Sequence, residues 1–75
     1  MTYEDGEVVK RICWLLRADM EVAISPWSQG NIRVIVCKRN WPAPISDVTT
    51  NRLLTSLTRA CEEVSDLMTL PERDF

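Results

Sequence analysis

The chain has 75 residues, 45% of them hydrophobic, with nine basic and eleven acidic side chains for a net charge of −2, three cysteines and no histidine. That length makes one domain and buries only about 60% of its unfolded surface, so its core calls for a disulfide, a metal or a second subunit to reinforce it. The missing histidine excludes Ser-His and Cys-His nucleophilic pairs, the usual general base and the commonest metal ligand.

Cys13, Cys37 and Cys61 are odd in number, widely spaced and form no CxxC pair. They read neither as a secreted disulfide scaffold nor as a closed zinc site. Apolar neighbours (Ile12, Leu16, Val36, Leu57, Val64) predict small buried hydrophobes. Cys37, beside Lys38 and Arg39, comes nearest to a reactive thiol. Glu4-Asp5-Gly6-Glu7 is too short for a calcium loop, and Glu62 and Glu63 read as solvated, not as catalytic carboxylates sharing an apolar cleft. No catalytic residue, cofactor or metal is therefore expected. The start is polar and acidic and no apolar run reaches membrane length; with free thiols, this predicts a cytoplasmic chain without membrane contact.

In chain order, Val8, Val9, Ile12, Cys13, Leu15, Leu16 and Met20 recur at helical spacing and predict a first helix from about Asp5 to Met20, capped by Thr2 or Asp5. Residues 21–27 and 32–39 alternate or are rich in β-branched side chains, which predicts two strands of an antiparallel hairpin. A three-residue loop, Ser28 to Gly30, puts Val22 and Ile24 on one face with Ile32, Val34 and Val36, and predicts a type I turn with Gly30 in a left-handed bulge position. Trp41-Pro42-Ala43-Pro44 breaks the strand. Ser46 then reads as the N-cap of a second helix reaching about Met68, with Leu54, Leu57, Cys61, Val64 and Met68 on its apolar face. Pro71 marks its end, and residues 72–75 read as a loose tail.

The expected fold is α+β: helix, strand, strand, helix, with both helices on one face of a hairpin. A two-stranded sheet is marginal alone, which predicts completion by a homodimer. Ala23, Ile35 and Cys37, on the half-apolar second face, are the candidate dimer interface.

Trp14 falls opposite the apolar stripe of the first helix, among Lys10, Arg11 and Arg17. Tryptophan and arginine are enriched at interface hot spots, so Trp14, Lys10, Arg11, Arg17 and Trp27 are candidate contacts to a larger protein, with packing of Trp14 against a loop as the plainer alternative. A basic segment, Arg33, Lys38, Arg39, Arg52 and Arg59, interleaved with Trp27 and Trp41, gives a second possibility. Arg33, Lys38, Arg39, Trp41 and Arg52 are the candidate nucleic-acid contacts. Arg59 can equally pair along its helix with Glu62 and Glu63. The pattern points to a protein-binding regulator or inhibitor, with a nucleic-acid module as the alternative.

Overall fold

In chain order the computed structural model, which describes residues 3–68, has helix α1 (Tyr3–Arg17), strands β1 (Met20–Pro26), β2 (Ile32–Lys38) and β3 (Ser46–Thr50), and helix α2 (Leu53–Leu67). The fold class is α+β, with one strand more than the sequence pattern suggested. Thr2, Pro71 and the expected tail lie outside the described residues.

Helix α1 stops short of Met20, which opens β1. The Ala18 N–H donates to the carbonyls of Trp14 (3.1 Å) and Leu15 (3.2 Å), and the Asp19 N–H to Leu16 O (3.0 Å). Asp19 then takes a left-handed φ of 62°, which aspartate tolerates better than most residues. Arg17 in the last turn suits the negative end of the helix dipole. Asp5, one of the two candidate caps, lies inside the helix.

The hairpin has the register that the apolar parity demands: Val22 lies opposite Val36 and Ile24 opposite Val34. Its loop is the expected three residues, closed by the Trp27 N–H donating to Asn31 O at 2.8 Å. The turn itself differs. Both Gln29 (φ 62°) and Gly30 (φ 76°) are left-handed, whereas a type I turn keeps its second central residue near φ −90°.

Residues 46–50 are strand, not the first turn of a helix. β3 pairs antiparallel with β2, placing Val48 opposite Val34 and Ser46 opposite Val36, so β2 is central. Ser46 and Val48 are buried while Asp47 and Thr49 are exposed, a period of two. The strand ends where Thr50 Oγ1 accepts from the Arg52 N–H (3.2 Å) and donates to Arg52 O (2.7 Å). The first bond of α2 runs from the Ser56 N–H to Arg52 O, 3.1 Å. Ser56 Oγ reaches Ile32 O (3.2 Å) and Thr50 Oγ1 (2.7 Å), tying that turn to the sheet.

Both helices lie on one face of the sheet, α1 against β1 and α2, and α2 against β2 and β3. They run parallel, since Glu4 meets Arg52 and Arg11 meets Thr58. Between them Leu15, Val34, Val36, Leu57, Cys61 and Val64 are fully buried, joined by Trp14, Ala60 and Met20. Each large aliphatic so buried contributes roughly 1.5–3 kcal/mol. Among the described residues both helices lie on that one face, and none packs over the second face of the sheet.

Candidate contact surfaces

Helix α1 is turned about its axis relative to the stripe that its apolar residues define. At about 100° per residue, Glu7, Arg11, Trp14 and Ala18 fall on one side of Leu15, and Ile12, Leu16 and Val9 on the other. The first group faces α2. Arg11 Nε donates to Thr58 Oγ1 at 3.0 Å, and its Nη1 donates to Glu7 O (2.9 Å) and Glu7 Oε1 (3.2 Å). The side chains of Arg11 and Glu7 are only 15% and 14% exposed. Arg11 holds the Glu7 carboxyl below the usual carboxylate range, and Lys10 adds to this.

Trp14 sits on that same flank at 7% exposure, within the core cluster. This corrects the expectation of a projecting indole, because the charged residues around it are not one solvent face. Glu7 and Arg11 satisfy each other at the seam between the helices and leave an apolar site between. Of the other expected partner contacts on α1, Lys10 is exposed and pairs with Glu7 at 3.3 Å, and Arg17 is exposed. The α1 cluster and Trp27 are on different parts of the molecule and form no common patch.

The uncovered sheet face holds Ala23, Ile35 and Cys37, the candidate dimer contacts, together with Arg33. Ala23 lies directly opposite Ile35, which lies opposite Asp47; Ser25 and Thr49 flank Arg33, and Glu21 faces Cys37. Ile35, Cys37, Ser25 and Arg33 are half-buried. At one end of this face Trp27 is half exposed, and the Arg33 guanidinium sits 4.7 Å from its ring centroid. Arg33 Nε also donates to Asp47 Oδ1 (2.8 Å) and its Nη2 to Asp47 Oδ2. That bond lowers the Asp47 carboxyl, the guanidinium charge adds to the effect, and partial burial opposes it. The chain Asp47–Arg33–Trp27 thus fixes an aromatic ring at the rim of a bare sheet.

The basic segment is divided instead of gathered. Arg33 and Lys38 stand at opposite ends of β2, about 17 Å apart at 3.3 Å per residue, and on opposite faces. Lys38 lies 5.8 Å from the Trp41 ring, Arg39 pairs with Asp19 (3.8 Å) and Arg52 with Glu4 (2.7 Å). Arg59 is exposed on α2. Glu63, expected to be merely solvated, accepts a hydrogen bond from the Ser46 hydroxyl. Of the three cysteines only Cys61 is buried; Cys13 and Cys37 are half-buried.

Among the described residues no His, Cys, Asp or Glu side chains cluster so as to hold a metal ion, and no helix is long and apolar enough to cross a membrane. Comparison with protein-family models, with curated proteins and with solved structures finds no match.

Proposed function

We propose that this chain is a small regulator or inhibitor that acts by contact with a larger protein, as a homodimer, and that the bare face of its sheet is the surface the target meets. The observation that carries this reading is the Trp27 ring, half exposed and held under Arg33, which Asp47 in turn anchors. Tryptophan and arginine dominate interface hot spots, and a ring already fixed in place loses less entropy on binding. On the same face Ile35, Ala23 and Cys37 add apolar surface. An interface has this composition: an apolar centre beside aromatic and arginine anchors, with charge at the rim. Free thiols suit a reducing, cytoplasmic setting.

The nucleic-acid reading draws less support. Arg33, Arg39 and Arg52 each sit against a carboxylate, Lys38 against an aromatic ring, and the set spans both ends and both faces of the sheet. Binding to single strands would need a continuous basic groove.

The test is affinity capture from the native host with wild type, Trp27→Ala and Ile35→Asp side by side. The expected result is one protein retained by wild type and lost from both variants. Retention by Ile35→Asp, with the variant folded, would remove the sheet face from the account. Single-stranded oligonucleotide bound at low salt, with a steep salt dependence, would favour the alternative instead.

A further inference from the structure

The second copy has its own place, distinct from the bare sheet face. We infer that two chains join along the outer edge of β1, strand against strand about a two-fold axis through Ala23, with their α1 helices side by side above the seam. This deepens the homodimer reading given above but does not depend on the identity of any target.

The edge is open and unguarded. Among the described residues β1 has no neighbour on its outer side. Because Trp27 and Asn31 form a hydrogen-bonded pair, antiparallel alternation makes Ser25–Arg33 and Ala23–Ile35 hydrogen-bonded pairs too. The N–H and C=O groups of Val22 and Ile24 therefore point outward, away from β2. Edge strands are usually blunted by lysine, mid-strand proline or a bulge. β1 carries none of these: its one charge is Glu21, and Pro26 lies at its last position. The other edge, β3, is shorter and points the backbone of Asp47 and Thr49 outward.

The same side of the molecule is apolar. α1 packs over β1 and turns Arg11 toward α2, so Val9 and Leu16 lie on the flank above the open edge. They are 47% and 56% exposed, and Ile24, on the helix side of β1, is 43% exposed. Among the described residues these three large aliphatics line the open strand without cover.

The edge is also complementary to itself. Antiparallel pairing centred on Ala23 sets Val22 opposite Ile24 of the second copy, so each exchanges both of its free backbone bonds. Glu21 then faces Ser25, not another Glu21, and small Ala23 side chains meet at the axis, so no like charges oppose. An antiparallel α1 pair centred between Ile12 and Cys13 sets Val9 against Leu16. A strand of seven residues and a helix of fifteen are both about 22 Å long. A seam of that length and two layers deep is of the order of the roughly 800 Å2 per partner that stable interfaces bury. The result is a six-stranded sheet whose bare face stays free for a target.

Sedimentation equilibrium with amide hydrogen exchange tests this. The chain should run at twice its 8.6 kDa mass, and the Val22 and Ile24 amides should be protected. Ile24→Pro removes no bond within the chain, since that N–H points outward, and should give a folded monomer by circular dichroism. Leu16→Lys should do the same, while Leu67→Lys, exposed on α2, should leave the dimer intact. A wild-type monomer at high micromolar concentration overturns the seam, as does a dimer that survives both Ile24→Pro and Leu16→Lys. Dimer loss on Ile35→Asp but not on Leu16→Lys also overturns it, moving the second copy to the sheet face. Target capture by Ile35→Asp is a separate readout, so failure of the seam and failure of the sheet-face reading remain distinguishable.

Discussion

Arg11 and Thr58 meet at 3.0 Å across the seam between the two helices, with the Arg11 guanidinium also bonded to Glu7 on its own helix. The contact fits a rotation of α1 that buries Leu15 and Trp14 and leaves Val9 and Leu16 on the outer flank.

Arg11→Ala should therefore cost about 1–3 kcal/mol, the worth of a charge-assisted hydrogen bond in a half-buried setting, and lower the melting temperature by several degrees. A double-mutant cycle with Thr58→Val checks it. Additive effects of the two changes would mean that the pair contributes nothing of its own.

Trp14→Ala should destabilise by about 3–5 kcal/mol, as expected for emptying a large aromatic site in a core. In a domain of this size that loss approaches the whole of its stability. Urea denaturation reads it directly. A near wild-type midpoint would return Trp14 to the surface.

Helix α1 shows why sequence legibility ran out where it did. The periodicity of apolar residues placed a helix there, and the parity of Val22, Ile24, Ile32, Val34 and Val36 fixed the hairpin register and its three-residue loop. Periodicity alone could not set the rotation of α1. Val9 and Leu16 counted toward the core stripe although they border an open edge, while Glu7 and Arg11 counted as solvent although they neutralise each other between helices. The signal available was the Glu7–Arg11 spacing of four, which makes such a pair on a helix.

β3 is hidden by a different local signal. Ser46-Asp47 mimics a helix N-cap and first turn, and five residues are too few to show a clear alternation. Val48-Thr49-Thr50, three β-branched residues in a row, was the contrary signal. Val48→Pro separates the two structures. Proline is tolerated in the first turn of a helix, but the Val48 N–H belongs to the ladder with β2, so the substitution should unfold or severely destabilise the chain. A stable, native-like Val48→Pro protein would favour the helical start.

Acid should weaken the fold. The Asp47 carboxyl is held below the ordinary range first by its bond to Arg33, and Glu7 first by its bond to Arg11. A carboxyl depressed in the folded state contributes stability that is fully present above its unfolded value, about pH 4, and is lost as pH falls through the folded value. Denaturation at neutral pH and near pH 3 should show this loss, and Asp47→Asn with Glu7→Gln should flatten it. An unchanged pH dependence in the double variant would assign acid sensitivity to other groups.

On the proposed reading a target protein docks on the bare sheet face, at Trp27 under Arg33. Titration calorimetry of the purified target against wild type and Trp27→Ala tests it most directly, with thermal melts confirming that both are folded. The expected result is a loss of at least about 2 kcal/mol in binding, more than tenfold in affinity. Equal affinity for the two proteins would contradict the account.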